Sequence, residues 1–335
     1  MAEKISPSEA ALERAAALIR AGKLVAFPTE TVYGLGANAL DAAAVAEIYR
    51  VKGRPPASPI IVHVASLEMA QGLVTRWPEE AEALARRWWP GPLTLVLPKQ
   101  GIVPDIVTAG LPTVGLRMPA HPVALDLIRR AGLPVAAPSA NRFSELSPTR
   151  AEHVEESLGN AIELILDGGP TEVGIESTVL SLAGERPQVL RPGMVTREDL
   201  EALIGPVELG GRVENGAHAS PGMHPRHYSP RTPLVLVSDG VLPATGRGAY
   251  LWMRRAVPAD ECVEMPADPR RYAAVLYDTL HRLDQEGFDW IAVERPPEGD
   301  AWAAIRDRLE RAEKKLGEEL DRRARVGDTR GGWTL

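Results

Sequence analysis

Apolar and polar positions along the chain follow two different periods. Short, mainly apolar runs at 24–27, 60–64, 93–97, 113–117, 134–137, 162–166, 177–182 and 188–190 have the length of buried strands. Between them, apolar residues recur every three to four positions at 8–21, 42–51 and 122–131, and again from Thr196 to 204, which predicts amphipathic helices. Further helices begin at Ser66 and Pro78. Asp41 can cap the 42–51 helix, Gly53 can stop it, and Pro55-Pro56 forbids its resumption. Gly132 stops the helix at 122–131. Ser147-Pro148-Thr149 reads as another helix start, with serine at the N-cap and proline at the first position. Tyr33-Gly34-Leu35-Gly36 reads as a place where glycines let the backbone turn tightly or approach a ligand.

Both periods fail from 205 to 233, a stretch rich in Gly, Pro and His that is longer than ordinary connections and so functional or disordered. Strands at 234–237, 249–252 and 290–293 then alternate with helices at 269–286 and 301–315. This order predicts an α/β protein of two units: 1–205, a linker at 206–233, and a smaller parallel, Rossmann-like α/β unit at 234–335.

Composition narrows the classes. A net charge of −7 argues against a dedicated nucleic-acid binder, although local basic patches remain. The single cysteine, Cys262, excludes an intramolecular disulfide and a cysteine zinc cluster, and it reads as a small apolar filler. No run approaches the ~18 apolar residues of a membrane span, so a cytoplasmic location is expected.

Candidate chemistry concentrates at strand ends, where α/β folds place small-molecule sites. Lys52 and Arg54 leave the 42–51 helix together; they either complement its C-terminus or hold an anion. Arg117 ends an apolar strand and needs a carboxylate, internal or from a ligand. His63 is either a core histidine or a site group. Ser139 and Asn141 follow a buried strand and equally suit a turn. Ser147 suits a helix cap or a phosphate, and Arg191 is either a strand end or a further cation. Gly34-x-Gly36-x-x-Ala39 resembles a dinucleotide fingerprint but lacks the acidic residue about twenty positions on. No P-loop or HExxH pattern occurs. Several cations and hydroxyls at the strand ends of one unit suit a polyphosphate beside a small anion, with catalysis by positioning and charge neutralisation.

Lys52-Gly53-Arg54 and Ser139-Ala140-Asn141 resemble the K-x-R and S-x-N signatures of the YrdC-like family. The PTETVYGLG, WPGPLT, RMPAHP and APSAN stretches and Ile175-Glu176-Ser177-Thr178 are similar to it too. Pro221-Gly222-Met223 and His227-Tyr228-Ser229-Pro230 resemble the longer, two-domain members, the threonylcarbamoyl-AMP synthases. The resemblance implies a twisted open mixed sheet flanked by helices. It implies that L-threonine, bicarbonate and ATP give threonylcarbamoyl-AMP and pyrophosphate, and that a partner transferase then modifies tRNA. It places Lys52, Arg54, Ser139 and Asn141 at the chemistry. Arg117 would take the threonine carboxylate, with Thr31, His63, Ala137 and Ser177 around it. Arg54, Ser58, Thr113, Ser139, Ser147 and Arg191 would surround ATP, with Tyr228 reaching back over the nucleotide as part of a lid. Mg2+ would be held mainly by the phosphates, with no protein metal cage and no organic cofactor. Stable nucleic-acid binding and membrane association are not expected. The rival reading is an RNA-binding or ribosome-assembly module that uses a concave basic surface.

Overall fold

A computed structural model of the chain describes residues 2–56, 58–210 and 228–314. The first unit is built on strands β1 (Glu3–Ile5), β2 (Val25–Phe27), β3 (Gly34–Asn38), β4 (Val62–His63), β5 (Leu93–Pro98), β6 (Thr113–Arg117), β7 (Val135–Ala136), β8 (Leu164–Leu166), β9 (Thr178–Ser181), β10 (Gln188–Arg191) and β11 (Glu208–Leu209). They form one mixed sheet of eleven strands in the order β1-β8-β2-β3-β7-β4-β6-β5-β9-β10-β11. Beyond the linker, β12 (Leu234–Val237), β13 (Gly248–Trp252), β14 (Glu261–Glu264) and β15 (Trp290–Glu294) make a wholly parallel sheet in the order β12-β15-β13-β14. The expected architecture, a mixed sheet flanked by helices plus a smaller parallel α/β unit, is the one that forms. Among the described residues, no helix is long and apolar enough to cross a membrane.

Register decides which residues meet. Arg191 pairs with Val179, Val179 with Thr94, and His63 with Arg117. Continuing the β5–β6 register by one residue sets Thr94 opposite Arg117. Partners across a ladder share a face. Arg191, Val179, Thr94, Arg117 and His63 therefore form one row across five strands. Gly115 and Thr113 lie on that same face, two and four residues back along β6, so Thr113 stands about 13 Å from Arg117.

The structure corrects several sequence readings. Gly34 and Gly36 lie in an interior strand, and neither has positive φ. A Cβ on Gly36 would come within 2.7 Å of the Phe27 ring and 2.9 Å of Val135, so this glycine makes room for packing instead of turning the chain. Ser147 does not cap a helix. The helix runs Ala151–Leu158 with Arg150 at its N-cap, and Ser147 Oγ donates instead to Glu176 Oε1 at 2.5 Å. Cys262 is exposed on the edge strand β14, not a core filler. Strands β1 and β14 are too short and polar to have shown an apolar run. The expected 60–64 strand shrinks to Val62–His63.

At the start of the expected linker, Glu208–Leu209 still belong to the large sheet, since β11 pairs with β10. Most of the expected linker, 211–227, with Pro221-Gly222-Met223 and His227, lies outside the described residues. The C-terminal unit does not stand apart. Its core of Tyr272, Leu276, Tyr277, Ile305 and Leu309 is continuous with Val32, Leu146 and Ile175 of the first unit. The backbones of the two units approach each other tightly at Gly174, whose φ is +78° and where a Cβ would lie 2.3 Å from Ala273 O. Gly174→Ala combines a strained backbone with a clash in a packed joint. Its expected cost is about 2–4 kcal/mol, read as a lower denaturant midpoint with an unchanged slope; an unchanged midpoint would contradict this account of the joint.

Candidate active site

Three members of that row, Arg191, Arg117 and His63, line a cleft walled by the loop after β2, the turn after β7 and Tyr228 returning from the linker. The loop owes its shape to Thr29, whose Oγ1 donates to Val32 O (2.7 Å) and accepts from Val32 N (3.2 Å). Thr31 Oγ1 lies 2.8 Å from Thr29 Oγ1 and also faces the cleft.

Arg117 illustrates how a buried cation is kept. Its Nε donates to Gly91 O at 3.2 Å, and its Nη2 sits 2.8 Å from Glu30 Oε1, though off hydrogen-bond alignment. The internal carboxylate that this strand end required is thus Glu30. Nε and Nη2 are thus both engaged, and the residue also borders the cleft. His63, next in the row, is pushed down to about 3 by burial, with Arg117 adding to the effect. Its Nδ1 is buried without a hydrogen-bond partner, and its ring meets Phe27 edge to face.

Lys52 joins the two signature segments. Its Nζ donates to Ser139 O at 2.6 Å and to Asn141 O, and its own carbonyl accepts from Phe143 N. Burial, with Arg54 beside it, holds the Lys52 ammonium well below its ordinary value. Arg54 lines the cleft and donates from Nη2 to Ser58 Oγ (2.7 Å) and Pro59 O (2.9 Å); burial lowers it to about 10. Asn141 faces its own turn, donating to Arg142 O and Glu145 O. Arg191 donates to Ser177 O (3.1 Å) and Ser177 Oγ (3.2 Å) and bonds Tyr228.

Thr31, Arg54, His63, Arg117, Ala137, Ser139, Arg191 and Tyr228 therefore border one cleft of about 50 Å³. Lys52, Ser58, Asn141, Ser147 and Ser177 stand behind that lining, each bonded to a residue of the site or its supporting turns. Thr113 lies farther along the same sheet face, past Gly115 and the apolar patch of Ile61, Val96 and Val179.

Sequence reasoning left Thr29, Glu30 and Glu176 only as parts of signature stretches and gave no role to Arg308. Arg308 carried a legible signal, because it falls on the apolar stripe of its helix with Trp302, Ile305 and Leu309. Tyr228 is buried with φ +64°, a left-handed conformation costly for a tyrosine. Its ring is held between Tyr277 (6.0 Å) and the Arg308 guanidinium (5.3 Å).

Buried cations on a mixed α/β sheet, gathered around one cleft, fit an enzyme that handles small anions. The profile of the Sua5/YciO/YrdC family, described as "Telomere recombination", matches residues 17–193. That of the "Threonylcarbamoyl-AMP synthase, C-terminal domain" matches 195–313. The threonylcarbamoyl-AMP synthase of Bacillus subtilis is 44% identical over 333 residues, covering 92% of this chain and 95% of the relative. That of Pyrococcus abyssi is 44% identical over 325 residues, covering 89% and 92%. The solved structure of P. abyssi Sua5 complexed with L-threonine aligns with a TM-score of 0.84 at 40% identity, over 93% of this chain and 96% of that one. The chain belongs to the threonylcarbamoyl-AMP synthase family, enzymes that transfer a nucleotidyl group.

A depressed folded-state pKa on His63 means that the folded protein binds fewer protons than the unfolded chain between about pH 6.5 and 3. Stability from this residue is full above the unfolded value and declines as pH falls through that window. The His63 imidazole should show no protonation by NMR between pH 8 and 5. A midpoint above 5 would contradict the buried, neutral state.

Proposed function

We infer that this chain joins L-threonine, bicarbonate and ATP into threonylcarbamoyl-AMP and pyrophosphate. The observation that carries the reading is the register row. It presents Arg117 and His63 at one end of the cleft and Arg191 at the other, on a sheet face that continues for about 13 Å to Thr113. That arrangement suits an amino-acid carboxylate beside a triphosphate. The L-threonine held by the P. abyssi relative supports it.

In this reading, Arg117, held in place at Nη2 by Glu30 and at Nε by Gly91, takes the threonine carboxylate. Thr31, His63, Ala137 and Ser177 enclose the side chain and amine, and neutral His63 adds no repulsion to the substrate ammonium. The ammonium releases a proton and its nitrogen bonds to the bicarbonate carbon as water leaves, giving a carbamate. A carbamate oxygen then bonds to the α-phosphorus while the bond from that phosphorus to the bridging oxygen breaks, and pyrophosphate departs. Arg54, Ser139 and Arg191 stabilise the charge that develops on the phosphates, and Lys52 fixes the turn that presents Ser139. Ser58, Asn141 and Ser147 brace these groups, and Thr113 marks the far reach of the nucleotide. Tyr228 covers the site and shields the labile carbamate from water.

Mg2+ on the triphosphate would add charge neutralisation. Glu30 and Glu176 are already engaged by Arg117 and Arg308, so the phosphates would be its main ligands. A partner transferase would carry the threonylcarbamoyl group to tRNA. The RNA-binding alternative is not favoured: the relatives that match over most of the chain are synthases, and Lys52 and Arg54, two of the cations it would use, are only 3% and 6% exposed.

Pyrophosphate release from ATP should require threonine and bicarbonate together. Release with threonine alone, in bicarbonate-free buffer, would mean simple amino-acid activation. Arg117→Ala should raise the KM for threonine about 100-fold, the loss of a charge-assisted contact of about 3 kcal/mol, and leave ATP binding within about threefold. Equal loss of both substrates would overturn the assignment of Arg117.

A further inference from the structure

One wall of the cleft holds a charge that an anion site should not tolerate. Glu176 is 6% exposed, borders the cleft and lies among the groups placed here around ATP. Its Oε1 accepts from Ser147 Oγ. Its Oε2 accepts from Arg308 Nε at 2.8 Å. Arg308 comes from the C-terminal unit, on the helix Asp300–Ala312, and is 1% exposed.

Arg308 does more than meet one carboxylate. Its Nη2 donates to Glu176 O at 3.3 Å, and its Nη1 donates to Pro192 O at 3.0 Å and to Asp307 Oδ2 at 2.9 Å. Those two carbonyls belong to the residues flanking Ser177 and Arg191, so one guanidinium ties together the strand ends that carry both. Its face also lies over the Tyr228 ring. Burial works against the Arg308 charge, but Glu176 and Asp307 carry it above its ordinary value, so it stays a cation.

We propose that Arg308 is a positioning residue of the nucleotide site, supplied by the C-terminal unit: it neutralises Glu176 and thereby keeps Arg191 usable by a polyphosphate. The proposal rests on the reading of this cleft as the ATP site. Without Arg308, Glu176 would remain a buried anion facing incoming phosphates and would draw the Arg191 guanidinium to itself. A residue that only docks the two units would instead affect threonine and ATP alike, whatever the charge at position 176.

The discriminating measurement is calorimetric binding of ATP and of L-threonine to the full chain, alongside pyrophosphate release. Arg308→Met should weaken ATP at least about tenfold and threonine less than about threefold, with Arg308→Lys between wild type and Met. Pairing Arg308→Met with Glu176→Gln should return ATP affinity to within about threefold of wild type, because no buried charge is left uncompensated. Wild-type ATP affinity in Arg308→Met, or no recovery in the double variant, would overturn the proposal. If Arg308→Met fails to fold, the double variant and Glu176→Gln alone decide. ATP binding at least as tight as wild type in Glu176→Gln supports the proposal, and about tenfold weakening in either variant overturns it. A wild-type protein that binds no ATP would instead sink the reading of the cleft itself.

Discussion

Four cations almost removed from water sit on or beside one face of the first unit's sheet, and each must be neutralised or hydrogen-bonded by the chain around it. The solutions differ in a telling way. Lys52 is spent on backbone carbonyls and becomes a strut between two turns. Arg117 is held at Nη2 by Glu30 and at Nε by Gly91, and it still borders the cleft. Arg54 and Arg191 lean on hydroxyls and backbone carbonyls. A site built this way is preorganised for anions. Its donors are already dehydrated and fixed, so little reorganisation accompanies binding.

The same constraint explains why the C-terminal unit is joined so closely to the first. Glu176 would spoil an anion site if left alone, and the cation that answers it comes from more than a hundred residues away in sequence. That cation also lies over Tyr228, the residue that returns from the linker to cover the cleft. Cover, wall and second unit are thus one electrostatic assembly, set on a shared apolar core.

Much of this was legible in local patterns, because helix caps and apolar periods are short-range physics. Asp41 and Gly53 bound their helix as expected, and Thr196 forms a full capping box with Asp199. The need of Arg117 for a carboxylate was legible from its place at the end of an apolar strand. Ser147 misled because a serine before a proline is a good helix start locally, whereas a buried carboxylate twenty-nine residues later is the stronger partner. Gly34 and Gly36 misled because glycine serves either a turn or close packing, and only the position of the Phe27 ring distinguishes them.

By itself the sequence determined most element types, the smaller parallel α/β unit, and where cations fall at the ends of elements. Each of these depends on neighbours a few positions apart. Only the tertiary structure decided that Glu30 answers Arg117, that Arg308 answers Glu176, and that His63, Arg117 and Arg191 stand in one row. Pairings of that kind follow from strand register and domain docking. Those are set by burial summed over the whole sheet, and no local stretch of residues encodes them.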